Sequence, residues 1–321
     1  MSPAPNRLVI ATRGSKLALA QVEIVARQLR ETRPDLGIEV KVVKTTGDTD
    51  QRPFSEIGGK GLFTTEVERE LLAGAADVAV HSAKDLTAEL AEGCSIIAIP
   101  TRASTHDVVI GGIGASGEER LGRLPAGAKV GTSSLRRRAL LLEARPDVDA
   151  VEFRGNVDTR LRKVNDGEVD VAILAAAGIE RLGVDADPAP LDMSRWLPAP
   201  AQGAIAVEAL TERDDLRELF AVIDDPTARS TVTAERSFAR VMEGGCSVPL
   251  GCRAQVSPRA LILDGFLGLP DGSHSMRDRI SGGAHEAARL GAELAEAIIS
   301  CGGREILDEL QEFDRPPVPE P

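Results

Sequence analysis

The run His81-Ser82-Ala83-Lys84-Asp85 places a cation and a carboxylate directly behind a short apolar stretch, Asp77–Val80. If that stretch is a buried strand, Lys84 and Asp85 fall at its carboxyl end, where open α/β sheets bind their ligands. A plain helix start with a solvated lysine would give the same pattern. A second cluster, Thr132-Ser133-Ser134-Leu135-Arg136-Arg137-Arg138, follows the strand-like Lys129–Gly131. Hydroxyls at a helix start leave backbone N–H groups that favour an anion. Neighbouring arginines on a helix diverge by about 100°, so at most two of these can line one cleft; a solvated basic face is the simpler alternative. A third cluster, Arg154-Gly155-Asn156 with Arg160, follows Val148–Phe153 in the same way. Three strand ends bearing Arg, Lys or Asp together describe a cationic cleft for carboxylates.

Two further features sit on glycine-rich segments. Gly58-Gly59-Lys60-Gly61 invites a phosphate-loop reading, which fails because position 54 is Phe and Gly61 replaces the required Ser or Thr. A mobile loop delivering Lys60 to the cleft fits better. Cys246 lies in Gly244-Gly245-Cys246-Ser247-Val248-Pro249-Leu250-Gly251, after a helix. Taken alone it reads as an ordinary structural cysteine; its glycine approach also suits an attached group or a nucleophile. No C-x-x-C or H-E-x-x-H occurs among four Cys and four His, which speaks against zinc.

The elements around these clusters alternate. Leu8–Thr12 is strand-like, Leu17–Leu29 helical, Ile38–Thr45 strand-like, Phe63–Leu72 helical, and Asp77–Val80 a buried strand. Leu135–Ala144, Val148–Phe153, Asn156–Val164 and Val169–Leu174 repeat the plan. Gly74-Ala-Ala-Asp-Val-Ala-Val80 echoes Gly167-Glu-Val-Asp-Val-Ala-Ile173, which makes Gly178 the counterpart of Asp85. Such alternation means an α/β fold, here two similar lobes with a cleft between them. Ile205–Leu210 is a further strand, and a boundary falls near Pro226. Beyond it Thr231–Val241 is helical, Arg253–Gly268 strand-rich and Ala284–Ile299 a long amphipathic helix: a third, smaller α/β unit. The Pro-rich tail from Arg315 reads as disordered.

Composition narrows the partners. The net charge is −12 and aromatics are 2% of 321 residues, which opposes a nucleic-acid or anionic-membrane binder. Yet the cations are 31 Arg against 7 Lys. Codon bias accounts for that, and so would bidentate recognition of carboxylates. No 18-residue apolar span or signal-like start is present, and cysteines are few, so the expected home is the cytoplasm. Nothing in the sequence advertises a large apolar interface, so a monomer is expected.

The clusters, in this order, resemble the porphobilinogen deaminases. The matching stretches are Ala11-Thr-Arg-Gly-Ser15 with Leu17-Ala-Leu-Ala-Gln21, Gly58-Gly-Lys-Gly-Leu-Phe63, Val80-His-Ser-Ala-Lys-Asp85, Gly131-Thr-Ser-Ser-Leu-Arg-Arg137, Arg154-Gly-Asn-Val157, Gln202-Gly-Ala204 and Gly245-Cys246 with Val248-Pro249. The resemblance implies two solute-binding-protein-like lobes with a central cleft and a smaller C-terminal α/β domain: 1–103 with 201–222, 104–200, and 226–321. It implies a dipyrromethane cofactor held by a thioether to Cys246 and porphobilinogen as substrate. Four units would be joined head to tail with loss of ammonia to give hydroxymethylbilane. Asp85 matches the catalytic carboxylate, which stabilises positive charge on a pyrrole. Arg13, Ser15, Lys60, Ser82, Lys84, Thr132, Ser133, Ser134, Arg136, Arg137, Arg154, Gly155, Asn156, Arg160 and Gln202 match cofactor- and substrate-binding positions. The chain departs from the pattern at Leu86-Thr87, at Arg102-Ala-Ser-Thr-His-Asp107 and at Glu56. A two-lobed anion-binding protein without catalysis is the competing reading; it needs neither Cys246 nor Asp85.

Overall fold

Short runs of β-branched and alanine residues, such as Val78-Ala-Val-His-Ser82, are too brief for helices and too apolar for the surface. They become the central strands of sheets covered on both faces. The computed structural model describes residues 6–49, 61–242 and 248–313. In chain order the strands are β1 (Arg7–Arg13), β2 (Gly37–Val43), β3 (Val78–Ser82), β4 (Cys94–Ala98), β5 (Asp107–Ile110), β6 (Lys129–Gly131), β7 (Asp149–Val151), β8 (Val171–Ala175), β9 (Ala189–Pro190), β10 (Ile205–Leu210), β11 (Leu250–Val256), β12 (Leu261–Gly268) and β13 (Ser275–Gly282). The helices are α1 (Lys16–Thr32), α2 (Thr46–Thr49), α3 (Thr65–Leu72), α4 (Gly117–Gly122), α5 (Leu135–Ala144), α6 (Val157–Asn165), α7 (Ala176–Leu182), α8 (Asp214–Phe220), α9 (Pro226–Val241), α10 (Ala287–Ile298) and α11 (Arg304–Phe313).

The first sheet runs β2-β1-β3-β10-β4 and the second β7-β6-β8-β5-β9. In each, the first three strands are parallel and the fourth is antiparallel to both its neighbours. The registers match as well: Ile10 pairs with Val78 in one sheet and Val130 with Val171 in the other. The internal echo is therefore structural, and Gly178 does occupy the position in α7 that Asp85 holds after β3. There it meets Leu17 of α1, across the lobe interface. The antiparallel strands β10 and β5 begin just after the two chain crossings between lobes.

The cores are aliphatic, as a composition with few aromatics requires. Val22, Val25 and Leu29 of α1 pack at helical spacing against Leu8, Ile10, Val78 and Val80. The second lobe buries Val130, Leu140, Leu141, Val171 and Ile173, and recruits Phe266 from β12. The third unit is an antiparallel sheet, β11-β12-β13, backed by α9 and α10.

The crossings are clamped to the third unit. Glu235 of α9, fully buried, takes two hydrogen bonds from Arg102 (2.9 and 2.7 Å) and one each from the Ala201 and Ala254 amides. The crossings also bond to each other, Ala103 N to Gly203 O at 3.0 Å. Gly203 has φ +82°, and a Cβ there would lie 2.6 Å from the carbonyl oxygens of Ala103 and Ser104. Gly203→Ala should cost about 2 kcal/mol or more from backbone strain and clash, read as a fall in the urea midpoint at unchanged slope. An unchanged midpoint would mean the crossings rearrange freely.

Several expected elements differ. Val148–Phe153 shortens to β7, because Phe153 turns in to lie against Gly131 and its amide bonds Ser133 Oγ. The helix after the boundary starts at Pro226 rather than Thr231: Asp225 caps it and proline suits the first turn. Ala284–Ile299 resolves into a 3-10 turn, α10 and a π turn, followed by α11. Strands β4, β5, β9 and β13 have no counterpart among the strands expected from sequence. β5 is only four buried residues, and β13 is a sheet-edge strand whose Arg and Asp mask its alternation. The Arg315 tail, Lys60 and Cys246 lie outside the described residues.

Candidate active site

The carboxyl ends of β1 and β3 open into a pocket between the N-termini of α1 and α3. Arg13, the last residue of β1, and Asp85, in the 3-10 turn after β3, face each other across it with Nη1 and Oδ2 4.0 Å apart. The Arg13 guanidinium lies over the Phe63 ring, 4.1 Å from its centre. Stacking holds the cation in place without using its donors. Ser15 caps α1 by accepting from the Ala18 amide, and Gln21 donates to Ser82 Oγ at 2.7 Å.

The Lys84 side chain is exposed, yet protein packs densely around it. That enclosure lowers its ammonium to about 8; the Arg137 charge adds to the effect, while Asp85 and Asp107 oppose it. Arg160 comes from the other lobe, on α6. Burial lowers its guanidinium to about 10, with Arg137 and Arg154 adding to the effect and Glu152 and Asp85 opposing it. Its Nε is buried with no hydrogen-bond partner among the described residues. Arg154 bonds Glu152 at 2.7 Å. Gly155, at φ +119°, bends the chain into α6; a Cβ would collide with Thr159 at 2.8 Å. Asn156 is the N-cap residue of α6, with no side-chain capping bond.

The hydroxyl cluster serves the backbone first. Ser134 caps α5, accepting from the Arg137 amide at 3.4 Å; Thr132 accepts from the Ser134 amide at 3.2 Å. Arg136 and Arg137, expected as cleft ligands, are engaged by a buried partner. They point inward, 4% and 6% exposed, and converge on Asp107. Arg136 Nη1 meets Oδ2 at 2.6 Å; Arg137 Nε and Nη2 meet Oδ1 at 3.0 and 2.8 Å. Gln202 donates to the same oxygen at 3.0 Å. The cause is burial: Asp107 is fully enclosed at the start of β5 and takes its countercharges from the nearest helix. Sequence reasoning missed Asp107. It lies in the Arg102–Asp107 stretch that departs from the family pattern, and local spacing carries no signal for it.

The site thus joins Arg13, Ser15, Ser82, Lys84 and Asp85 from one lobe with Arg160 from the other. Lys16 and Asp158 bridge the lobes at 3.0 Å. A carboxylate-bearing ligand would find cations on both walls and one carboxylate, Asp85, among them.

The family model for the porphobilinogen deaminase dipyromethane cofactor binding domain matches residues 8–218, and that for the porphobilinogen deaminase C-terminal domain matches 230–300. The chain belongs to the porphobilinogen deaminase family. It is 42% identical over 305 residues to a porphobilinogen deaminase of Syntrophus aciditrophicus, spanning 94% of this chain and 98% of that one. It is 42% identical over 311 residues to that of Geobacter sulfurreducens, spanning 96% of each. With that of Roseiflexus castenholzii it shares 43% over 304 residues, 94% of this chain and 99% of the other. Deaminase membership spans both lobes and the third unit, so the pocket belongs to the matched region throughout.

Proposed function

We propose that this chain is a working porphobilinogen deaminase: it joins four porphobilinogen units head to tail, with loss of ammonia, to give hydroxymethylbilane. The observation that carries the reading is Asp85, a carboxylate set among Arg13, Lys84 and Arg160 at a strand end, in a chain matched to the family over nearly its whole length. Every pyrrole unit carries an acetate and a propionate. Arginine and lysine on both cleft walls suit these groups. Loss of ammonia leaves positive charge on a pyrrole ring, and a fixed carboxylate stabilises it. A donor set of this kind fits a dipyrromethane, whose acidic side chains would meet Arg13, Ser15, Lys84 and Arg160. Bound by thioether to Cys246, the dipyrromethane would supply the primer to which units are joined. Lys60, Ser82, Thr132, Ser133, Ser134, Arg136, Arg137, Arg154, Gly155, Asn156 and Gln202 complete the proposed lining by motif.

The reading includes three units, 1–103 with 201–222, 104–200, and 226–321, in a cytoplasmic monomer. The composition of the three sheets supports the first point. Exposed large apolar side chains such as Ile113, Leu72 and Val222 belong to different elements, which supports the last.

Intact mass tests the attachment. The purified protein should exceed its sequence mass by two pyrrole units, and Cys246→Ala should lack that increment and make no hydroxymethylbilane. Unmodified wild-type protein that releases no ammonia from porphobilinogen would refute the reading.

A further inference from the structure

Behind the pocket wall lies a buried polar cluster for which ammonia loss has no use. His81 Nε2 stands 3.0 Å from Glu208 Oε2, and the two side chains are 4% and 0% exposed. The strand register explains the meeting: His81 pairs with Ala206 and Ala79 with Glu208, so both side chains share one face of the β3–β10 ladder. Helix α3 covers that face and brings Glu68, which is also buried.

Both Glu208 oxygens are buried with no aligned hydrogen bond from any described residue. Two carboxyl groups so enclosed cannot both carry charge at small cost. Burial pushes Glu68 above the usual carboxyl range, and the Glu208 charge adds to it. The pair therefore presents a carboxyl group of Glu208 to His81. A carboxylate repels an imidazole lone pair, so Nε2 carries the hydrogen and Nδ1 is left as an acceptor. His81 lines the same pocket as Arg13, Thr64, Ser82 and Asp85. Among the described residues, two other titratable groups face the cluster. Arg236 of α9 donates to the Thr87 and Ala88 carbonyls at 2.9 and 3.2 Å and offsets the negative charge. The Cys94 thiol of β4, pushed up to about 12 by burial, stays neutral.

Resting on the deaminase reading, we propose that His81 is a proton acceptor of the cleft, its Nδ1 receiving the α-hydrogen of an attacking pyrrole, with Glu208 and Glu68 as positioning residues. The new carbon–carbon bond forms as the α-carbon–hydrogen bond breaks, and the freed electron pair restores the aromatic ring. The proton passes to Nδ1 and then to the ammonia released in the same round, which leaves as ammonium. This is the imidazole–carboxylate logic of general-base sites, with a second carboxyl holding the first in check.

The test combines NMR of the histidine rings with the pH dependence of porphobilinogen consumption. The His81 resonance is assigned by its loss in His81→Gln. Glu68→Gln/Glu208→Gln removes the pair's charge whichever carboxyl holds it. The His81 titration midpoint and the acid limb of kcat/KM should move to lower pH together. Glu208→Gln alone serves if the double variant does not fold, with a smaller shift in the same direction. His81→Gln should lower turnover about a hundredfold and abolish that limb. A uniform loss of rate at every pH, with the midpoint unmoved, would reduce the cluster to packing and overturn the inference. Wild-type protein that leaves porphobilinogen untouched while the midpoint still shifts would instead overturn the deaminase reading, and the acceptor role with it.

Discussion

Asp85→Asn should lower porphobilinogen consumption about a thousandfold, an effect of about 4 kcal/mol on the barrier, while leaving the fold in place. The two halves of that expectation have separate causes. The side chain is 33% exposed, and its one described ion pair is the 4.0 Å contact with Arg13. Surface pairs of that kind contribute about 0–1 kcal/mol, and asparagine is nearly the same size, so the urea midpoint should barely move. The chemistry depends on charge rather than size. When ammonia leaves, the pyrrole that remains is cationic, and Arg13, Lys84 and Arg160 nearby all make that worse. Asp85 is the anion set among them. An amide in its place offers only a dipole to a full positive charge, in a cleft walled by cations. Asp85→Glu should recover part of the rate, because charge returns at a displaced position. Steady-state loss of porphobilinogen, together with thermal unfolding of both variants, decides the matter. Turnover of Asp85→Asn within fivefold of wild type would remove Asp85 from the mechanism. A parallel loss of stability would make it a structural residue.

Asp85 could be read from sequence because strand ends are simple to locate. Val78–Ser82 is apolar, short and preceded by a turn, so the residues after it must emerge at the sheet's carboxyl edge. The same logic found Ser134 and Asn156 at their helix starts. The echo between Gly74–Val80 and Gly167–Ile173 gave the duplicated lobes, since equal strands in equal registers need equal patterns. What stayed hidden was long-range. β13 pairs with β12 through its backbone, while its side chains show Arg277, Asp278 and Arg279 to solvent, so the amphipathic signal is weak. Local spacing cannot say whether an arginine looks out or in. Arg136 and Arg137 read as ligands because they follow a helix start; the aspartate that claims them lies 29 and 30 residues away. The Glu208–His81 contact likewise spans two strands that meet only once the chain has crossed to the second lobe and returned.

That buried aspartate gives the largest stability effect expected of one substitution. Asp107→Asn should cost about 3–5 kcal/mol, because it strands two enclosed guanidiniums without their counterion. Arg137 spends Nε and Nη2 on Asp107 and Nη1 on the Ile173 carbonyl at 2.9 Å; Arg136 also donates to Leu197 O at 2.7 Å. Asparagine can still accept one hydrogen bond, yet it leaves the two positive charges uncompensated. The pH dependence supplies a second signature. Burial alone would raise the Asp107 carboxyl, but the adjacent Arg136 and Arg137 charges outweigh it and hold the group well below the usual carboxylate range. A depressed folded-state value stabilises the fold fully above the unfolded value of about 4 and loses that contribution as pH falls below it. Urea midpoints between pH 6 and pH 3 should therefore fall more steeply for wild type than for Asp107→Asn. The experiment also weighs the two readings of the arginine pair. If Asp107→Asn unfolds within 1 kcal/mol of wild type and the two pH profiles are parallel, the guanidiniums are free to turn into the cleft as ligands. If the cost is several kcal/mol, Arg136 and Arg137 hold the start of β5 and the return segment at Gln202 together. Carboxylate binding then falls chiefly to Arg13, Lys84 and Arg160.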